Sequence, residues 1–475
     1  MQKLRFSVAF GVIGVSALVL ATSLGACGGA NVNITDLFDE AGTNAETGGS
    51  SGSSGSSGAL EDGGVVDGEA PCLGSGCPTV CPAGKETSLS GKVYAPNGAT
   101  PLYNVIVYAP KSALAPITHG PTCERCGSVS GDPIVSTITD AKGNFTLKNV
   151  PDGKDVRIVL QTGKWRREIK VPEIKPCEDN AISSSELTRL PRTQAEGDIP
   201  RIALTAGMCD QVGCMLPKIG IAASEFGVST DGTAKSVHTF AGNSPGPSGA
   251  TSATENLWND ATKLAAYDLV ILSCECSENL TNKGGGPDGP PFALMTDYVK
   301  KGGRIFTTDF QYVWYRYSPD LGMQGAFNGR WNAPAGGPNL RIDTSFPRGA
   351  ALAEWLEKSA GLASPGTTVT PSYTFGNLIS NDTSKSRRWA SDSTQVEPRV
   401  VSVNLPTGVA AGQHCGRALH VDAHVNSSDN VGTTFPSGCS NTMLEGDSLL
   451  AFMLFDLGSC IQDDAVAPAP PKAAK

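Results

Sequence analysis

No basic cluster with interleaved aromatics occurs in the 475 residues: Lys and Arg total 37 against 46 Asp and Glu, for a formal net charge of -9. A surface that neutralises phosphates needs the opposite balance, so nucleic acid is not an expected partner. Charge is absent from residues 6–26, and hydrophobic periodicity is absent from residues 28–70. A segment of the second kind cannot bury enough apolar surface to offset its chain entropy. The Cys-x-x-Cys at Cys123 and Cys126 is followed by no second such pair and by no His pair of zinc-finger spacing, which removes the usual finger reading.

What is present begins with Lys3 and Arg5, the uncharged run, and then Leu24-Gly25-Ala26-Cys27. A basic start, an apolar run and small residues before a cleavage point predict an export signal over residues 1–26. The last four residues resemble the lipobox of bacterial lipoproteins. That resemblance implies Cys27 as the lipid-bearing N-terminus, the membrane as a partner, and a place in the cell envelope, on an outer membrane facing periplasm or surface. The alternative is an uncleaved anchor, because a run of about 20 apolar residues just spans a bilayer. Residues 27–85 then read as a flexible tether, with a Gly/Ser repeat from Gly49 to Gly58, an acidic patch at Glu61, Asp62 and Asp67, and a cysteine cluster.

The chain carries 14 cysteines. Outside the cytoplasm such residues pair, so Cys72, Cys77, Cys81, Cys123, Cys126, Cys177, Cys209, Cys214, Cys274, Cys276, Cys415, Cys439 and Cys460 are all disulfide candidates. With Cys27 set aside they are odd in number, and at least one is unpaired, metal-bound or intermolecular.

Residues 86–178 hold short alternating runs separated by turn signals such as Pro96-Asn97-Gly98 and Asp140-Ala141-Lys142-Gly143, a pattern that predicts a small β-sandwich of transthyretin or immunoglobulin type. Gly91-x-Val93, Pro101-Leu102 before Val105-x-Val107, and Thr139-Asp140-x-x-Gly143-x-Phe145 followed by Val150-Pro151-x-Gly153 resemble the carboxypeptidase regulatory-like domain. The resemblance implies a spacer or binding module without catalytic residues. The stretch from Pro110 to Pro133, with His119, Cys123 and Cys126, departs from that pattern, and a disulfide within it or to Cys177 is expected.

After a polar linker at 179–198, residues 199–461 alternate buried strands with helices, which predicts a doubly wound α/β domain whose parallel sheet is covered on both faces. Helical spacing runs from Ala253 to Leu264 and from Phe292 to Lys300, residues 318–350 read as a long loop, and Asp447 to Leu457 closes the domain. The Ala- and Pro-rich tail, 462–475, reads as disordered. Tyr267 to Leu272, Leu294 with Tyr298 and Val299, and Gly302-Gly303-Arg304-Ile305-Phe306 resemble the flavodoxin-like class I glutamine amidotransferase fold. Catalytic members place a Cys nucleophile on a sharp turn after a strand. Here that turn reads Thr307-Thr308-Asp309-Phe310-Gln311, so amidotransferase chemistry is not expected.

Open parallel sheets bind ligands at their strand ends. Asp309 and His424 are therefore the candidate catalytic pair, and Asp309, Gln311, Tyr312 and Trp314 the candidate ligand-binding set, with aromatic faces suited to sugar rings. His420, Asp422 and His424 alternate along one strand and are the candidate ligands should a divalent metal be held, although no cofactor is expected. The leading expectation is a membrane-anchored envelope protein that binds a protein or glycan without catalysis. An exported hydrolase of carbohydrate or amide bonds is the alternative, and a metal-handling or redox protein the third.

Overall fold

The computed structural model describes residues 78–124, 126–331, 336–424 and 433–472. Cys27, the signal segment, the tether up to residue 77, Cys72 and Cys77 lie outside the described residues.

Among the described residues, seven strands precede residue 200: β1 (Ser88–Lys92), β2 (Ile106–Pro110), β3 (Pro133–Ile138), β4 (Asn144–Lys148), β5 (Gly153–Thr162), β6 (Trp165–Ile174) and β7 (Asp179–Ala181). They form a three-stranded sheet, β4-β1-β7, and a four-stranded sheet, β3-β2-β5-β6. The expected linker is built into this region. Its β7 pairs in parallel with β1, Ser184 caps a helical turn at Ser185–Thr188, and Arg189 binds Glu196 through two hydrogen bonds of 2.7 Å.

The remaining strands are β8 (Ile202–Ala206), β9 (Phe226–Gly227), β10 (Val237–Ala241), β11 (Leu269–Leu272), β12 (Arg304–Thr308), β13 (Phe327–Gly329), β14 (Leu340–Ile342), β15 (Thr368–Val369), β16 (Tyr373–Thr374), β17 (Leu378–Asn381), β18 (Arg387–Ser391), β19 (Pro398–Leu405), β20 (Gly416–Val421) and β21 (Ala423–His424). Ten of them make one mixed sheet in the order β15-β14-β18-β19-β20-β12-β11-β8-β10-β9. From β9 across to β20 the neighbours run parallel, as the alternation predicts. Beyond β20 the pairing turns antiparallel, which corrects the expectation of a purely parallel sheet. The links between β18 and β19 and between β19 and β20 contain no crossover helix, and a strand reached by a short link pairs antiparallel.

Every residue of β8, β11, β12 and β20 is buried. Central strands of this kind need cover on both faces. Helix Glu445–Gly458 supplies Leu449, Leu450, Met453 and Leu454 to one buried cluster, joined by Leu352 and Leu356 of helix Pro347–Ser359. Helix Pro290–Lys300 supplies Phe292, Met295 and Val299 to the other, with Trp258 and Trp314. The helix expected over Ala253 to Leu264 is broken in two, because the Asp260 carboxylate accepts from the Thr262 and Lys263 amides and starts a new turn. The stretch 318–350 is not a bare loop either: it holds a helical turn at Leu321–Gln324, two strands and the start of helix Pro347–Ser359.

The N-terminal sheets are not packed by themselves. Leu89, Val107, Phe145 and Leu160 share a buried cluster with Trp355 and Phe452, Tyr103 stacks on Phe452 at 5.7 Å, and Trp355 Nε1 donates to the Pro101 carbonyl at 2.7 Å. The 110–133 stretch closes the contact. Asp268, at the entry to β11, accepts from the Gly120 amide and from Lys164 Nζ, each at 2.7 Å, and lies 2.7 Å from His119. Gly302 takes φ +116° there, and a Cβ on it would collide with the Thr122 backbone. Cys123 pairs with Cys415 and Cys126 with Cys460, whereas Cys177 takes Cys81. The expected link within the stretch or to Cys177 is thereby replaced by two long-range staples. Two further disulfides, Cys209–Cys276 and Cys214–Cys439, bring the described total to five, a number that belongs outside the cytoplasm. No helix among the described residues is long and apolar enough to cross a membrane.

The C-terminal tail is anchored at Asp464, and further on the Pro471 carbonyl accepts from Ser136 Oγ at 2.5 Å. Arg417 pairs with Asp456 and Asp464 at 2.7 Å each, Arg348 completes the square at 3.0 and 3.2 Å, and all four side chains are buried. Composition suggested disorder there, but a buried guanidinium pair demands carboxylate partners. Asp464→Ala leaves Arg417 short of one partner in a buried network and is expected to cost about 3–5 kcal/mol, read from urea unfolding; a change below about 1 kcal/mol would show the tail to be dispensable.

Several acids contribute a pH dependence of stability. Hydrogen bonds from Arg189 hold Glu196 down at about 2. Burial works against Asp268 and Asp464, yet His119 and Lys164 in one case, and Arg417 and Arg348 in the other, keep both below the usual carboxylate range. These folded values lie below the unfolded ones of about 4. The stability they add is therefore complete above about pH 4.5 and is lost as pH falls toward about 2. The urea midpoint should drop steeply across that window, and Glu196→Gln should make the drop shallower.

Candidate functional site

The neighbouring parallel strands β8, β11, β12 and β20 end on one edge of the sheet, and each leads into a polar residue: Asp210, Cys274, Asp309 and, through β21, His424. Asp309 occupies the abrupt junction between β12 and the helical turn Asp309–Tyr312, with φ 43°. A non-glycine residue in that region carries backbone strain, and such strain collects at functional sites. Its Oδ2 atom lies 3.0 Å from Cys274 Sγ and 3.2 Å from His424 Nε2. Its Oδ1 atom accepts from Asn377 Nδ2 at 2.9 Å, and the same nitrogen reaches Asp422 Oδ1 at 3.0 Å.

Local sequence explains how the loops come so close. Gly207 follows β8, and a Cβ there would sit 2.2 Å from the Cys274 carbonyl oxygen. The Cys209–Cys276 disulfide ties the same two loops together, and the Cys274 amide donates to Thr308 Oγ1 at 3.1 Å. Gln311 Nε2 donates to the Ser273 carbonyl at 2.9 Å, which fixes the end of β11 from the other side. Phe375 packs edge-on against the His424 ring at 4.6 Å.

Burial dominates the electrostatics. Cys274 is 0% and Asp309 1% exposed. Burial first, and then the Asp309 carboxylate, push the Cys274 thiol far up. Burial also raises Asp422 to about 6, against the pull of Arg399 at 4.0 Å. His424 is pushed down by burial but held above the ordinary imidazole value by Asp309 and Asp210. Asp210 is 1% exposed and burial raises it, with His424 the next influence. Thr308 and the Gln211 amide are its neighbours, yet neither Asp210 oxygen has a hydrogen bond of normal geometry among the described residues. His424 Nε2 is likewise within ion-pair range of Asp309 but out of line for a hydrogen bond.

The structure separates the residues that the sequence grouped. His420 does not join His424. It is wholly buried, with Nδ1 2.9 Å from Thr307 Oγ1 and its ring stacked on Phe327, and burial drives it down to about 3, so it is a neutral core imidazole. Asp422 turns toward Asn377 and the Leu378 amide, so the expected trio of metal ligands is not assembled. Tyr312 and Trp314 are 0% and 1% exposed: Tyr312 donates to Glu278 at 2.8 Å, and Trp314 packs on Trp258 and Phe292. They are core residues and not a sugar platform. Cys274, a disulfide candidate by sequence, is the free cysteine among the described residues. Asp210 and Asn377 escaped the sequence reading. Asp210 had a usable signal, as an acid just past the end of the first strand, whereas Asn377 lies in an irregular stretch with none.

No protein-family model and no curated protein matches the sequence. Solved structures with some likeness include a cytoplasmic protein from Salmonella typhimurium, 10% identical over 56% of this chain and 100% of that one, with a TM-score of 0.32. ThuA-like proteins, which have a glutamine-amidotransferase-like fold, are also among them. That from Bacteroides uniformis is 11% identical over 54% of this chain and 90% of its own, at a TM-score of 0.28, and that from Parabacteroides merdae 13% over 57% and 94%, at 0.28. Likenesses at these TM-scores assign this chain neither a fold nor a chemistry.

Because Cys274 is buried and paired with a carboxylate, a water-soluble thiol reagent should leave it untouched in the native protein. Denatured protein should show one more reactive thiol than denatured Cys274→Ala; rapid native labelling of that thiol would mean the site is open.

Proposed function

We propose that the strand-end cluster is the centre of an exported hydrolase, acting on a carbohydrate or amide bond, with Asp309 as the reacting carboxylate. The observation that carries this reading is the convergence of Asp309, His424 and Cys274, from three separate loops, on one strained strand-to-helix turn. In the amidotransferase-like resemblance that turn is where a nucleophile is presented; here a carboxylate with an imidazole 3.2 Å away takes the place.

The chemistry available to such a pair is water activation. Asp309 takes a proton from water as the water oxygen bonds to the carbonyl or anomeric carbon. The bond from that carbon to the leaving nitrogen or oxygen breaks, and the proton passes from Asp309 to the leaving atom. His424 orients the carboxylate and the water, while Asn377 holds the other Asp309 oxygen. The finer parts of the reading are proposals of the same standing: Cys27 as a lipid anchor in the envelope, and the N-terminal sheets as a carboxypeptidase regulatory-like sandwich that serves as spacer. The five disulfides support the exported part.

The test is turnover of chromogenic glycosides, esters and amides by the whole protein, compared with Asp309→Asn, which keeps the shape and removes the base. A loss of about a hundredfold or more, with unchanged thermal unfolding, is expected. Absence of turnover on every class, or an Asp309→Asn variant as active as the parent, would sink the enzyme and leave a binding scaffold.

A further inference from the structure

The geometry points to a divalent-metal site of the zinc class formed by Cys274 Sγ, the Asp309 carboxylate and His424 Nε2. These three atoms all lie within 4.8 Å of one another, on three loops that share no sequence neighbourhood. The contacts of 3.0 and 3.2 Å to Asp309 Oδ2 suit ligands gathered around one ion at bonds of about 2.0–2.3 Å. Thiolate, imidazole and carboxylate together are a zinc donor set, and three protein ligands leave a fourth position open. Magnesium and calcium, which take oxygen donors, fit poorly.

Two independent observations favour an ion over a set of internal hydrogen bonds. First, His424 Nε2 is buried and its contact with Asp309 Oδ2, at 3.2 Å, is out of line for a hydrogen bond of normal geometry, as expected of two donors turned toward a shared ion. Second, the charges do not balance. Asp210, Asp309 and Asp422 are each 1% exposed or less, and the positive group facing Asp422 is Arg399 at 4.0 Å. Thr308 and the Gln211 amide approach Asp210 without a hydrogen bond of normal geometry, and the charged groups that act on it are His424 and Asp309. Buried carboxylates are kept by pairing or by a metal, and a doubly charged cation at the cluster supplies what the protein lacks. It also accounts for one reduced cysteine when the ten other cysteines among the described residues are paired in five disulfides, since a coordinating thiol gives up its proton and is not free to oxidise.

This inference shares its site with the hydrolase reading but does not require turnover. The experiment is metal analysis of the whole purified protein after exposure to zinc and removal of unbound ion, with cobalt(II) loading in parallel. About one zinc per chain is expected, together with a thiolate-to-cobalt charge-transfer band. Cys274→Ser should abolish that band, and Asp309→Asn should lower metal affinity by about tenfold or more. The surface variant Glu354→Gln should match the parent. The cobalt spectrum of the parent tests Cys274 directly even if a variant folds poorly. A parent that binds no metal, or a Cys274→Ser variant that folds and keeps the full charge-transfer band, would overturn the site. Turnover by a parent that binds no metal would overturn the site while leaving the hydrolase; stoichiometric metal without turnover would support the site and remove the hydrolase.

Discussion

The side-by-side parallel pairing of β8, β11, β12 and β20 is the constraint on which the rest of this molecule depends. Parallel strands in register finish at the same edge, so residues far apart in the chain are delivered to one place. Ile202 to Thr205 pairs with Leu269 to Leu272, and Leu269 to Leu272 with Arg304 to Thr307. Arg304 to Thr308 in turn pairs with Arg417 to Val421. Because a shift by one residue exchanges the two faces of a strand, the apolar cover on both sides fixes that register. Asp210, Cys274, Asp309 and His424 come together as its consequence.

The opposite edge is secured by different means. Disulfides from Cys123 and Cys126, the Asp268 hydrogen bonds, and the Tyr103–Phe452 stack bind the N-terminal sheets to the large one. The Arg417, Arg348, Asp456 and Asp464 square closes the C-terminal segment over the same region. A rigid frame of this kind suits a strained, charge-rich site, because positive φ at Asp309 and buried carboxylates persist only where neighbours over-determine them. The buried Lys283–Glu275 pair, at 2.7 Å, fixes the residue next to Cys274 in its loop and belongs to that support.

How far the site was legible depended on the range of the signal. Asp309 and His424 were visible because strand ends are marked by a change from apolar to polar residues, and ligands gather there. The His-x-Asp-x-His pattern misled. Alternation gives a common face but not depth, and His420 sits deep against Phe327 while the chain leaves β20 after Val421. The aromatic run misled for a similar reason: Tyr312 and Trp314 have the composition of a sugar platform, and only packing against Trp258 and Phe292 makes them core. The tail read as disordered because composition registers Ala and Pro and not the partner that Asp464 finds in Arg417.

The sequence by itself determined the central strands of the sheet, the helices that cover its faces, and the abundance of pairing cysteines. Each follows from local periodicity or from composition, which a chain carries without folding. Tertiary structure alone decided which cysteines pair, that Cys274 stays free, that the sheet turns antiparallel beyond β20, and that Asp210 and Asn377 stand beside Asp309. Those are contacts between residues tens to hundreds of positions apart, and only the closing of the whole sheet brings them within bonding distance.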